Sequence, residues 1–260
     1  MVMTKKPAVS TLGITAQIHE YFLIVLGSFS NLSFTASKSV VIDGPDFTIA
    51  SPRNALTLNL EIAKNQEVKF LPIRVGEIFP NLIKYEVKMC LIKTIKRDHL
   101  ADLVHLKYIN LHTNKIELID EAAFDQLIDL EEINLGLNSI EFLPDGIFKR
   151  NKNLLKILLR ENQITHISKN TFSHLLKLHD IDLNHNQLTS LKPEIFTNSK
   201  NLRKILLMWN KLTTIKVDTF SSMQDLQILD LRYNECYNKR FANTTKISDS
   251  FNEVAEKCLT

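Results

Sequence analysis

The stretch Leu103-Val104-His105-Leu106-Lys107-Tyr108-Ile109-Asn110-Leu111-His112-Thr113-Asn114 decides the fold, because the chain repeats its pattern. Asn recurs at 138, 162, 186, 210 and 234, each 24 residues beyond the last. Ahead of each Asn, two apolar columns keep the same step. One runs Ile109, Ile133, Ile157, Ile181, Ile205 and Leu229; the other runs Leu111, Leu135, Leu159, Leu183, Leu207 and Leu231. Behind each Asn, Ile116, Ile140, Ile164, Leu188 and Leu212 form a third column, and Phe124, Phe148, Phe172, Phe196 and Phe220 a fourth. One step upstream, Tyr85, Val87, Cys90, Ile92, Ile95 and Leu100 fill the same places. Chance does not hold so many columns in phase, and such self-similarity marks a stacked repeat architecture.

A pair such as Ile109-x-Leu111 puts two apolar side chains on one face of a short strand, since strand side chains alternate. One such strand cannot bury that face alone. Copies stacked at about 4.8 Å per step join into a parallel sheet over one continuous core. An amphipathic helical repeat fails, because the apolar spacing before Asn is two and three rather than three and four. Asn114, Asn138, Asn162, Asn186, Asn210 and Asn234 are expected to turn inward, where their amides satisfy backbone groups left open by the chain reversal. The Phe column is expected on the convex side as an aromatic spine.

The quoted segment matches LxxLxxLxLxxN, and the chain resembles the leucine-rich repeat family over roughly residues 79–234. The repeat length, with Phe in its later half, is similar to the extracellular subclass of Toll-type receptor ectodomains, Slit and small secreted arthropod repeat proteins. The resemblance implies an α/β solenoid: a horseshoe with a parallel concave β-sheet, an irregular convex side and a short C-terminal helical cap. Cys90 stands where the ladder has Asn, which the family also accepts.

The organisation divides as a leader over 1–37, an N-terminal lead-in and irregular capping repeat over 38–78, repeats over 79–234, and a C-terminal cap over 235–260. In the first part, Lys5 and Lys6 precede an uncharged run from Tyr21 to Ser37 with the apolar core Phe22-Leu23-Ile24-Val25-Leu26. It resembles a secretory signal cut near Thr35-Ala36-Ser37; a poorly ordered leader is the alternative. Residues 38–54 read as an extended lead-in, and 55–78 as the first, irregular repeat. At the other end, Phe251, Val254, Ala255 and Cys258 fall on one helical face that would cover the last repeat. A Cys236–Cys258 bridge would tie that helix to Asn234, stabilising by roughly 3 kcal/mol. Two reduced thiols in a cytosolic protein are the alternative. Asn243-Thr244-Thr245 is a glycosylation sequon in a polar stretch.

Composition narrows the function classes. The 32 Lys+Arg against 29 Asp+Glu give a net +3, too near zero to argue for nucleic acid or an anionic membrane. No apolar run is long enough to span a bilayer. No catalytic motif stands out, so an enzyme is not expected and neither is a cofactor. His179, Asp180, Asp182 and His185 cluster in one copy, but the strand geometry spreads them over the sheet exterior and its margins, and no metal is expected there.

In such folds the positions flanking the core residues line an extended concave surface. Most of it is mixed and polar here. Toward the C-terminal part, Leu206, Met208, Trp209 and Tyr233 gather on adjacent strands, edged by Arg160, Lys204, Asp230 and Arg232. Exposed aromatics with Arg and a charged rim have the composition of binding hot spots. The candidate binding set is Tyr108, Leu158, Arg160, Leu206, Met208, Trp209, Arg232 and Tyr233, with a protein ligand or receptor ectodomain as partner. Trp209 folding back as local packing is the competing reading. The resemblance implies a secreted recognition protein in innate immunity, extracellular matrix or cell adhesion; an intracellular scaffold or adaptor is the alternative.

Overall fold

The computed structural model describes residues 39–43, 59–242 apart from 65, 67, 74, 221 and 222, and 251–258. In chain order the strands are β1 Ser39–Asp43, β2 Asn59–Ala63, β3 Lys84–Lys88, β4 Thr94–Ile95, β5 Tyr108–Asn110, β6 Leu118–Ile119 and β7 Glu132–Asn134. They continue as β8 Lys156–Leu158, β9 Asp180–Asp182, β10 Ser190–Leu191, β11 Lys204–Leu206, β12 Thr214–Ile215, β13 Ile228–Asp230 and β14 Arg240–Ala242. Ten of them build one sheet in the order β1-β2-β3-β5-β7-β8-β9-β11-β13-β14. From β1 to β13 every neighbour is parallel, and register advances by one repeat, pairing Ile109 with Ile133 and Ile157 with Ile181. The chain is a solenoid of about 7 turns.

Each three-residue strand buries its central side chain and leaves the two flanking ones on the concave surface. Beneath the sheet, both apolar columns are fully buried from Ile109 and Leu111 to Leu229 and Leu231. On the far side Phe124, Phe148, Phe172, Phe196 and Phe220 stack with centroids 5.8, 6.5, 6.1 and 6.4 Å apart. The convex step exceeds the strand spacing of about 4.8 Å, so the turns splay and the sheet is the inner wall of a curve. Two short ladders, β4 with β6 and β10 with β12, lie beyond it.

The asparagines lock turn to turn. Asn162 donates through Nδ2 to the carbonyls of Leu135 (2.9 Å) and Leu159 (3.0 Å), while its Oδ1 accepts the Ile140 N–H (3.0 Å). Asn114, Asn138, Asn186, Asn210 and Asn234 repeat this set. Cys90 is buried at the same place, its Sγ donating to the Lys88 carbonyl (3.3 Å). The residue just before each ladder position takes a left-handed backbone: Met89, Thr113, Leu137, Glu161, His185, Trp209 and Tyr233 all have φ between 53° and 57°. That turn aims the following Asn inward, at a steric cost for side chains with a Cβ.

At the N-terminal end the sheet begins earlier than the sequence suggests. Within 38–54, read above as a lead-in, β1 pairs in parallel with β2, Ile42 opposite Ile62. Further on, the short helix Val75–Ile78 lies so close to the next turn that a Cβ on Gly76 would meet the Asp102 carbonyl oxygen at 2.0 Å. At the C-terminal end β14 runs antiparallel to β13, Phe241 opposite Leu229. A return this short admits only the antiparallel sense, since parallel pairing needs a long crossover. The helix Phe251–Cys258 then buries Val254 and Cys258 against the core. Cys236 and Cys258 are joined as a disulfide with Cα atoms 5.0 Å apart.

Candidate functional site

The concave surface divides into three regions along the solenoid axis. At the N-terminal end Glu86 is a buried hub. It meets Lys84 at 2.8 Å and Lys88 at 3.2 Å, and accepts a hydrogen bond from Asn110 Nδ2 at 3.1 Å. Burial alone would raise its carboxyl, but the hydrogen bonds and charges of the two lysines outweigh that and hold it below the usual carboxylate range. Tyr108 belongs to this network: Asn110 Nδ2 donates to its hydroxyl (3.2 Å), and Lys84 Nζ sits 4.8 Å from its ring centroid. It is therefore remote from the other proposed binding residues. A surface whose charges already answer one another has little left for a partner.

The middle region is held by a glycine. Arg160 and His112 stand two turns apart, yet Arg160 Nη2 reaches His112 Nε2 at 3.3 Å. They meet over Gly136, where a Cβ would press on both side chains at 3.2 Å. Burial, then the Arg160 charge, keeps the His112 imidazole below its ordinary value. Leu158 is half-buried on β8, between Asn134 and Asp182. Burial pushes the Asp182 carboxyl up against the opposing pull of the Asn184 N–H, Arg160 and Lys204.

The C-terminal region is apolar and aromatic. Trp209 and Tyr233 stack at 4.4 Å between centroids with planes 16° apart, and His185 stacks on the other face of Trp209 at 5.8 Å. Both Trp209 and Tyr233 remain about half exposed, at 50% and 49%. Trp209 thus neither folds away nor projects singly; it is the middle plate of a three-ring ladder. The left-handed turn column places these rings one above another along the rim. Leu206 and Met208, half-buried, lie on the sheet beside them. Arg232 grips Asp230 through Nε (2.9 Å) and Nη2 (2.7 Å), and Arg240 approaches the same carboxylate at 3.8 Å. Two guanidinium groups on one carboxylate leave the edge of the patch positive.

Sequence reading alone missed His185 as a ring in this ladder and Arg240 as the second cation. The aromatic column His185, Trp209, Tyr233 was a usable signal for the first; nothing in the repeat pattern signals Arg240, which lies beyond it. With His185 turned to Trp209, the four residues weighed as a metal cluster do not converge; no group of three or more His, Cys, Asp or Glu with a ligating arrangement occurs among the described residues. Asn243 and the leader over 1–37 lie outside the described residues.

The sequence profile of the BspA type leucine-rich repeat region matches residues 93–227 in 6 copies. The chain belongs to the leucine-rich repeat family. Among solved structures, this leucine-rich repeat protein is similar to TLR13 in its complex with ssRNA13, at 27% identity and a TM-score of 0.64, covering 68% of this chain and 25% of that one. It shares its fold with a leucine-rich repeat protein of Leptospira interrogans, at 22% identity and a TM-score of 0.54, over 69% of this chain and 50% of that one. The chain therefore spans a quarter of the first and half of the second. Among curated protein sequences none matches significantly. Leucine-rich repeat solenoids are recognition scaffolds, their concave sheets forming extended binding surfaces. Among the described residues no helix is long and apolar enough to cross a membrane.

Proposed function

We propose that this leucine-rich repeat protein is a secreted, non-enzymatic recognition protein that binds a protein partner through the C-terminal part of its concave face. One observation carries the reading: the half-exposed ladder His185–Trp209–Tyr233, beside Leu206 and Met208 and edged by Arg232. Aromatic and Arg anchors around an apolar centre are where interface energy concentrates. A contiguous exposed apolar patch marks an interaction site. The N-terminal half, with Lys84, Lys88, Glu61 and Glu86 mutually paired, offers no comparable anchor.

Although TLR13 is seen with an RNA, a protein fits this patch better. Trp209 has both ring faces occupied by its neighbours, so it presents edges rather than the open face on which a base would stack. Secretion is supported by the Cys236–Cys258 pairing, since disulfides persist in oxidising compartments, and by the Asn243 sequon. Roles in innate immunity, extracellular matrix or cell adhesion are all compatible with such a module.

The test is retention of a partner from extracellular fluid by the full chain, compared with the double variant Trp209→Ala, Tyr233→Ala. The folded variant should lose the partner, because neither ring occupies a core column. Equal retention by both proteins would overturn the concave-face reading. Recovery of the native protein only from cell lysate, with Cys236 and Cys258 reduced, would overturn secretion.

A further inference from the structure

The small net charge conceals a segregation on the flank where each turn descends from the Phe spine back to the sheet. In the turn over 125–131 that flank carries Asp125, Asp129 and Glu131 and no basic residue. The next three turns reverse the sign. Arg150 and Lys152 project from the first, His174 and Lys177 from the second, Lys200 and Arg203 from the third, all exposed. The following turn returns to acid with Asp225. Lys152 and Lys200 hold equivalent positions two turns apart, each turn advancing 6.1–6.5 Å at the neighbouring Phe stack.

Two features separate this band from an ordinary solvated surface. Apart from Lys149, which meets Asp125 of the preceding turn at 3.8 Å, its cations are uncommitted: among the described residues Arg150, Lys152, Lys200 and Arg203 make no ion pair, and Lys177 contacts only the neutral Asn153 Oδ1 (2.8 Å). Its framework is also fixed. Asn153, Asn198 and Asn201 each donate to a carbonyl of the preceding turn, at Ile128 (3.1 Å), Ser173 (2.9 Å) and Leu176 (2.6 Å). Beneath them the buried Asn151 donates to Phe124 and Leu127, both at 2.8 Å. A row of charges on a rigid ridge loses little freedom on binding, which favours affinity.

We propose that this flank is a second binding surface, distinct from the concave face, for a linear sulfated polysaccharide. A chain with regularly spaced sulfates can lie along the ridge and meet one turn after another. The acidic turns on either side limit the contact to three turns and set its direction. The one ring among these six residues is the His174 imidazole, tied through Nδ1 to Ser173 Oγ (2.8 Å), with no exposed Phe, Tyr or Trp beside it to build the stacking platform that single-stranded nucleic acid uses beyond charge. The uncommitted cations would release the counterions condensed on the polyanion, so affinity must fall steeply with salt.

The experiment is calorimetric titration of the full chain with a heparin octasaccharide at low and at physiological salt. Wild type should bind, and Lys152→Glu, Lys200→Glu should weaken binding about tenfold or more with a shallower salt dependence. Lys115→Glu, on the opposite flank, should bind as wild type does. Neither reversed lysine makes an ion pair, so the thermal midpoint of the double variant should stay at the wild-type value. The Trp209→Ala, Tyr233→Ala protein should bind the octasaccharide normally, which keeps this surface separable from the concave one. No binding by wild type at low salt, unchanged affinity in the folded double variant, or tighter binding of a length-matched single-stranded oligonucleotide would each overturn the proposal.

Discussion

Replacing Asn186 by Ala strips one rung of the ladder. Its Nδ2 group donates to the carbonyls of Leu159 (3.0 Å), Leu183 (3.1 Å) and Asn184 (3.3 Å), and its Oδ1 accepts the Ile164 N–H (3.0 Å). The side chain is buried, at 6% exposure, so water cannot readily take its place. The Ile164 N–H is left open, at about 1–3 kcal/mol for a buried unsatisfied group, while the Leu159 and Leu183 carbonyls keep the Nδ2 donors of Asn162 (3.0 Å) and Asn210 (2.9 Å) and lose one bond each, at about 0.5–1.5 kcal/mol apiece. The expected loss is about 2–6 kcal/mol, a large part of a domain's usual 5–15 kcal/mol. The chain supplies its own intermediate case, because Cys90 fills the equivalent position with one weak donor. Asn186→Cys should therefore lose roughly half as much as Asn186→Ala. Urea unfolding followed by far-UV circular dichroism measures both, and hydrogen exchange at the Ile164 amide reports the rung directly. A loss below about 1 kcal/mol for Ala, or a Cys variant no more stable than Ala, would refute the ladder as a stabilising element.

Three further outcomes follow from the same geometry. Asp182 has its folded pKa raised, so the stability it confers is full below the unfolded carboxylate value and disappears as pH climbs through the folded one; Asp182→Asn should be more stable than wild type at neutral pH, with the gain vanishing in acid. Thermal melts across that range check it. Cys258→Ser should cost roughly 3 kcal/mol by releasing the 22-residue separation to Cys236, seen as a lower urea midpoint that reductant no longer shifts. At Trp209, with φ of 57°, Gly should be more stable than Ala by about 1 kcal/mol, because only Gly holds that backbone without strain.

Some of this was legible because it is periodic. The Asn, Ile and Leu columns each demand the same environment in every turn, so their phase alone implied a parallel ladder, an inward amide and a Phe spine. Tyr85 and Val87 were placed in the core by phase even where Cys90 broke the motif. The concave columns could be assigned to positions but not to conditions. Tyr108 looked like a free aromatic, yet Lys84 engages its ring from the neighbouring strand and Asn110 its hydroxyl from two residues along its own. Arg240 gave no sign of itself, because its partner Asp230 is met only through an antiparallel strand outside the repeat.

Sequence by itself determined the unit: what is buried, what alternates, and how far one copy stands from the next. Those are local matters of side-chain period, which a strand imposes on any residues it carries. Tertiary structure decided which ends received extra strands, which rings stack face to face on the rim, and which charges pair across turns. These depend on distances between residues that stacking alone brings together, and no local pattern encodes a partner one or two turns away.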